Sequence, residues 1–336
     1  MAEDRVKTIV DIARLAGVSK ATVSRALNDS PLVSAATRGR ILAIAQEHGF
    51  EMNDPARRLS LRQSNVVALV TYRYAPSVKL PDAFVLEVMS GLTASLHVAG
   101  YDLLVIQIAP GDTDWVSRYR DSGRVEGFVL LAAQCTREHL ATLSGRHIPF
   151  VLWGEQPDAH EYCSVTGDSL AGGRIATERL LEVGRRRIAF LGGLPDEAEV
   201  KDRHGGYLAA LAAAGLAPDD ALVAYGDWRA ESGQQVMEEL LARAPDIDGV
   251  FACSDLMALG AIDALRAHGL RVPDDVAVVG YDDVALAAHS DPPLTTIRQS
   301  GPVIGRLLAE TLIQHLRTGA VANVSIPAEL VVRGSA

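Results

Sequence analysis

Residues 8–28, TIVDIARLAGVSKATVSRALN, admit little besides two short helices joined by a tight turn. Ile9, Ile12, Ala13 and Ala16 recur at three- and four-residue spacing and form one apolar stripe. Gly17 follows where a left-handed residue ends a helix, and Ser19 stands at the N-cap of the next one. Val23, Ala26 and Leu27 make the inward face of that second helix. Its outward face carries Lys20, Ala21, Thr22, Ser24 and Arg25, small polar groups ending in one long forked donor. Such a face suits a helix laid in the major groove of DNA, where base edges are read by hydrogen bonds. An ordinary helical pair with a solvated outer face is the alternative reading of the same pattern.

A turn-rich stretch, Asn28-Asp29-Ser30-Pro31, leads to Ser34, which reads as the N-cap of a third helix. Ile41, Leu42, Ile44 and Ala45 build that helix and His48-Gly49 closes it, giving a three-helix head over residues 1–50. Gly39 sits inside the third helix, where it costs about 1 kcal/mol relative to alanine. Residues 51–63, EMNDPARRLSLRQ, form a short basic linker with helix potential, Asn53 being a possible cap and Pro55 falling near a first turn. Arg57, Arg58 and Arg62 are its phosphate candidates. Leu59 has nothing local to pack on, so it either wedges into a minor-groove base step or packs on the rest of the chain.

The chain of 336 residues carries 32 Lys and Arg against 42 Asp and Glu, a net charge of −10 that looks wrong for a DNA partner. Divided along the chain it looks different: residues 1–63 hold ten of the basic and seven of the acidic residues and are net positive, so the remainder carries the whole acidic excess. A basic head on an acidic body lets the head approach phosphate while the body stays off it. No run reaches the ~18 apolar residues of a membrane span, and the N-terminus lacks the apolar core of a secretion signal, so a cytoplasmic protein is expected. Cys135, Cys163 and Cys253 are far apart and lie in strand-like runs, which reads as free buried thiols.

From Val66 onward apolar runs alternate with helical patterns. VVALVTY, YDLLVIQIA, GFVLLAA, PFVLWG, RIAFLGG, ALVAYGDW, GVFACSD and DVAVVGYDD are the strands. Residues 84–99, 170–183, 205–214, 232–242 and 256–268 are the helices between them. Near-continuous apolar strands separated by helices indicate parallel sheets covered on both faces. Their number suits two doubly wound lobes, one over residues 64–167 plus 297–326 and one over 168–296 plus 327–336. In open α/β sheets ligands bind at the carboxyl ends of strands, here between the lobes. Arg73, Trp153, Arg203, Trp228, Ser254, Asp255, Asp282 and Gln299 are the polar and aromatic candidates for that cleft.

By its order of motifs the chain resembles the lactose/galactose-repressor family of bacterial transcription regulators over essentially its whole length. TIVDIARLAGVSKATVSRALN looks like the family's head motif and NDPARRL like its hinge-helix motif. DSLAGGRIATERLLEVGRRRIAFLGG, DRHGGY, FACSDLMALGAIDAL, VVGYDD and PPLTTIRQ follow in the family's order. The resemblance implies an α/β chain with a helix-turn-helix head, a hinge ordered by DNA, and a body like a periplasmic sugar-binding protein. Carried over by position, Lys20, Ala21 and Arg25 would face base edges, and Leu59 would be the wedge. Thr8, Ser19, Thr22, Ser24, Asn28, Ser34 and Thr37 would contact or position the DNA backbone, with Asn53 and Arg57 in the hinge. Arg203, Asp282, Trp228, Ser254 and Gln299 would line the effector site, a set that suits sugar hydroxyls better than a flat purine.

Several residues depart from the family pattern. Val10 replaces a commonly polar or aromatic residue, Gly154 an effector-binding aspartate, Ser254 an asparagine and Arg185 a histidine, the last with no evident consequence. The resemblance implies a repressor relieved by a sugar, a corepressor-dependent regulator being the alternative. Without a heptad-bearing tail a homodimer is expected, two heads matching a palindromic operator. No cofactor or metal is expected. Asp282-Asp283 could serve an enzyme, but adjacent carboxylates are more often one ligand contact and one cap. His160 near Cys163 falls below metal-site standard, and no phosphate loop, nucleophile elbow or zinc-protease motif appears. A soluble sugar-binding protein fits the body alone and leaves the basic head without a purpose.

Overall fold

The computed structural model describes residues 8–27, 29–50, 64–72, 83–109, 112, 114–131, 137–154 and 162–336. The chain divides into two compact units at Ser64/Asn65. In the first, α1 (Ile9–Ala16), α2 (Lys20–Leu27) and α3 (Ala35–Glu47) pack around Ile12, Ala16, Val23, Ala26, Ile41 and Ala45. Local signals set each end. Thr8 caps α1 through a reciprocal box, its hydroxyl accepting from the Asp11 N–H at 3.3 Å while Asp11 Oδ2 accepts from the Thr8 N–H at 3.0 Å. Gly17 ends α1 at φ +63, a conformation that costs a residue without Cβ little. Ser19 Oγ accepts from the Thr22 N–H at 3.1 Å and Ser34 Oγ from the Thr37 N–H at 3.3 Å, so both expected caps are present. Leu42 departs from expectation. It is 47% exposed, because the Ile41/Ala45 spacing selects the inward face and leaves its neighbour about 100° away.

The second unit holds two six-stranded sheets. The first contains β1 (Val66–Tyr72), β2 (Asp102–Ile108), β3 (Gly127–Leu131), β4 (Phe150–Trp153), β5 (Cys163–Gly167) and β11 (Asn323–Ile326), all parallel, in the order 11-5-4-3-1-2. Both faces are covered, and β1 shows why its run reads as continuously apolar. Val67 and Leu69 join one core with Leu92 and Leu308, while Ala68 and Val70 join another with Trp115 and Phe128. Helices α4 (Ala83–Val98), α5 (Arg137–Gly145) and α11 (Gly301–Thr318) belong to this lobe, with a π-helical turn at Ser117–Asp121. Each fully buried leucine or valine on these faces contributes about 1.5–3 kcal/mol.

The second sheet contains β6 (Ile188–Gly192), β7 (Val223–Tyr225), β8 (Gly249–Ala252), β9 (Ala277–Asp282), β10 (Thr295–Arg298) and β12 (Glu329–Val331), in the order 12-10-9-8-6-7. Among the described residues, only β10 and β12 pair antiparallel. Around it lie α6 (Ser169–Glu182), α7 (Ala198–Ala213), α8 (Ala230–Arg243), α9 (Asp255–Ala267) and the short α10 (Ala285–His289). The chain passes between the sheets three times: from β5 to α6, from β10 to α11 and from β11 to β12. The middle crossing falls at residues 299–300, two residues later than expected, because Ile297 and Arg298 pair with Tyr281 and Asp282.

Arg185, whose place in the sequence carried no evident role, has one here. Its Nη2 donates to the Pro273 carbonyl at 2.6 Å and the Asp274 carbonyl at 3.2 Å, tying the turn before β6 to the loop before β9. Among the described residues, no helix is long and apolar enough to cross a membrane.

Candidate functional site

In the head, the outward face of α2 exposes Lys20, Ala21 and Arg25, with Thr22 and Ser24 half-buried beside them. The hydroxyls expected to hold the DNA backbone are otherwise engaged. Thr8 both donates to Asp11 Oδ2 at 2.8 Å and accepts from the Asp11 N–H, and Ser19 and Ser34 cap α2 and α3. What these three offer a phosphate is therefore an ordered helix N-terminus with its N–H groups and partial positive charge, rather than a free hydroxyl. Thr37 Oγ1 accepts from the Ser34 hydroxyl at 2.9 Å. Asn28, Asn53, Arg57 and Leu59 lie outside the described residues, as do Pro55, Arg58 and Arg62.

Between the two lobes of the body lies an open cleft of about 750 Å³, counted out to its mouth. Trp153, Arg203, Trp228, Ser254, Asp282 and Gln299 all line it, so it gathers every described member of the expected set except Asp255. Arg73 and Cys135 lie outside the described residues. The first lobe contributes Trp153 at the end of β4, with Phe84 from the start of α4 tilted against it at 6.0 Å between ring centroids. The second lobe contributes a polar wall with one buried cation.

Arg203 lies on α7, within the helix rather than at a strand end, and only 4% of it is exposed. Its guanidinium rests 3.7 Å from the centre of the Tyr281 ring and 5.7 Å from that of Trp228, while Nη1 donates to the Cys253 carbonyl at 2.6 Å. Its buried Nε finds no acceptor among the described residues. Burial pushes the neighbouring Cys253 thiol up to about 12, which leaves it protonated and inert.

Asp282 is presented by a turn that carries real backbone strain. Asp282 and Asp283 stand at φ +114 and +59, a region few side chains enter. Three fixings hold it. Asp283 Oδ2 accepts from Arg298 Nε at 2.8 Å and its Oδ1 from Arg333 Nη2 at 2.6 Å, so this carboxylate anchors two arginines instead of capping a helix. Asp255 Oδ2 accepts from the Val284 N–H at 2.9 Å, and its other oxygen accepts from Thr296 Oγ1 at 2.5 Å. Asp255, a sequence candidate for ligand contact, is thus wholly buried behind the turn. Its strand-end position fits, but its side chain points inward to polar groups that need an acceptor.

Gln299 Nε2 donates to Asp282 Oδ1 at 3.0 Å, which aims the carboxylate along the crossing strand. Ser254 caps α9 through the Met257 N–H at 3.2 Å, a task asparagine would do equally well. Gly154 stands at φ +106, a conformation that costs glycine less than a residue with a Cβ.

Sequence reasoning missed Phe84, Val85, Leu131, Glu199, Leu256 and Val284, which complete the lining. It also missed Glu197, whose Oε2 accepts from Trp228 Nε1 at 3.0 Å. Burial, aided by the nearby Glu199, pushes the Glu197 carboxyl up to about 8 against the lowering effects of that indole and Arg203. The periodic pattern places the start of this helix at residue 205, whereas α7 begins at Ala198. The charged turn that carries Glu199 and Arg203 shows no apolar stripe of its own.

A helix-turn-helix head followed by a hinged two-lobed body with a polar and aromatic cleft defines a class: DNA-binding regulators that carry a small-molecule binding domain. Comparison with known proteins agrees. Residues 8–53 match the family model for bacterial regulatory proteins of the lacI family, and residues 177–336 match the periplasmic binding protein-like domain. The chain is 37% identical to the HTH-type transcriptional regulator CelR of Thermobifida fusca, covering all of both chains. It is 33% identical to the ribose operon repressor of Escherichia coli (strain K12), over 98% of this chain and 99% of that one. Among solved structures it resembles a transcriptional regulator CelR–cellobiose complex (TM-score 0.75, 36% identity, 98% of this chain and 100% of that one). It also resembles a lac repressor dimer bound to operator and the anti-inducer ONPF (TM-score 0.83, 26% identity, 98% of each chain). The chain belongs to the lacI family of bacterial regulatory proteins and is a helix-turn-helix transcriptional regulator.

Proposed function

We propose that the protein is a dimeric, cytoplasmic repressor that binds a palindromic operator through its heads and releases it when a neutral sugar enters the cleft. The observation that carries the sugar reading is the chemistry of that cleft. It joins a buried arginine, a carboxylate that accepts from Gln299, and the aromatic rings of Trp153, Phe84 and Trp228. Hydroxyl pairs need both acceptors and donors, and the flat apolar faces of a pyranose need rings to lie against. Relatives of this chain include one solved with cellobiose and one named for the ribose operon, which supports a saccharide as effector.

In the head, Lys20, Ala21 and Arg25 read base edges while the N-termini of α1, α2 and α3 meet phosphates. Asn28, Asn53 and Arg57 add backbone contacts and Leu59 wedges into the minor groove. Two copies are needed because one head covers only a half-site. The protein acts by binding and not by catalysis. Calorimetric titration of the full chain with cellobiose, ribose and a panel of other mono- and disaccharides tests the effector class. Micromolar binding to at least one of them is expected, and a panel without any binder overturns the sugar reading.

A further inference from the structure

We propose that Glu197 is a positioning residue for the cleft, its carboxyl holding the Trp228 indole in the pose that an incoming effector meets. The inference rests on the reading of this cleft as the effector site. Trp228 is built into place by three features. Its own backbone stands at φ +72, which turns the side chain back across the end of β6. The ring lies against the bare backbone at Gly193, where a Cβ would come within 2.2 Å of the indole. The remaining freedom, tilt about that contact, is removed by the 3.0 Å hydrogen bond from Nε1 to Glu197 Oε2.

Glu197 occupies the N-cap position of α7 but makes no cap bond, unlike Asp168 and Ser254, which cap α6 and α9 with their side chains. Its carboxyl is turned to the indole instead. Glu199 and Arg203 from α7, together with the indole from the loop after β7, are the groups that act on it. The ring held this way lies 5.7 Å from the Arg203 guanidinium, so the pose of one sets the free face of the other.

The test uses the full chain with Glu197→Gln, which keeps an acceptor for the indole N–H, and Glu197→Ala, which removes it. Trp115 and Trp153 are buried, so the Trp228 signal is isolated as the difference from a Trp228→Phe reference. In Glu197→Ala the Trp228 emission should move to the red and become more accessible to acrylamide, while Glu197→Gln retains the parent emission. The parent emission should also titrate near pH 8, as this carboxyl ionises, and both variants should be flat there. Cellobiose, or whichever panel sugar binds the parent, should bind Glu197→Ala about tenfold more weakly and Glu197→Gln within about threefold, with sugar-free DNA affinity unchanged.

A Glu197→Ala protein with parent emission, parent pH profile and parent sugar affinity overturns the proposal. If no sugar binds the parent, the effector reading fails by itself, and the emission of the three proteins still decides whether Glu197 sets the indole.

Discussion

Arg25 and Glu197 show how much a single side chain does in each unit. Arg25 is the forked donor on the exposed face of α2, and a guanidinium on a base edge discriminates by about 1–3 kcal/mol. Arg25→Ala should therefore lose that much operator affinity and accept a wider range of half-sites, as binding to a library of half-site variants would reveal. Unchanged affinity and selectivity would remove Arg25 from the reading face. Glu197 ties protein stability to pH. In the unfolded chain its carboxyl ionises near 4.5, in the folded chain only near 8. The folded state therefore holds an extra proton between those values, and this group's contribution to stability is lost as pH rises through that window. Glu197→Gln should flatten the fall of unfolding free energy between about pH 5 and 8, measured by denaturant melts at several pH values. A slope equal to the parent's would place the pH dependence elsewhere.

At the scale of elements, legibility follows how local the determining forces are. The head could be read closely because its boundaries are written in adjacent residues: Thr8, Ser19 and Ser34 as caps, Gly17 as a left-handed stop. The long strands were legible because burial on both faces demands uninterrupted apolar runs, as in β1. The short strands β5 and β11 were not. CSVTG and NVSI carry polar residues whose places are set by pairing with each other across nearly half of the chain. The first turns of α7 were hidden for a related reason, since their Glu199 and Arg203 face the cleft and not a core. Six cleft residues could still be named because strand ends converge in this topology and the family's motifs mark them. Phe84 and Glu197 act through contacts no spacing encodes. Gly39 is an element-scale flaw in α3. It is exposed, and an added Cβ meets nothing within 4 Å. Gly39→Ala should stabilise the head by about 1 kcal/mol, seen as slower hydrogen exchange of the α3 amides in the full chain. A loss of protection would mean that the backbone at this position is needed bare.

At the scale of the molecule, the body is two sheets joined by three crossings, with the cleft between the lobes. Glu87 of α4 accepts from the Ala285 N–H at 3.0 Å, one direct link between the lobes besides the crossings. A ligand that touches Trp153 on one lobe and Arg203 and Asp282 on the other shifts the balance between lobe arrangements only by its differential affinity for them. The proposed function makes Arg203 central to that difference, as the buried cation of the cleft.

The most direct measurement is the affinity of the full-length protein for palindromic duplexes it selects from a random pool, read by anisotropy with and without a saturating sugar from the calorimetric panel. Predicted are a clear preference over unselected duplex, a fall of at least about tenfold on adding sugar, and an Arg203→Ala protein that binds DNA equally well but ignores the sugar. A sugar that fills the cleft and leaves operator affinity unchanged, or a protein that prefers no palindrome, would contradict the account.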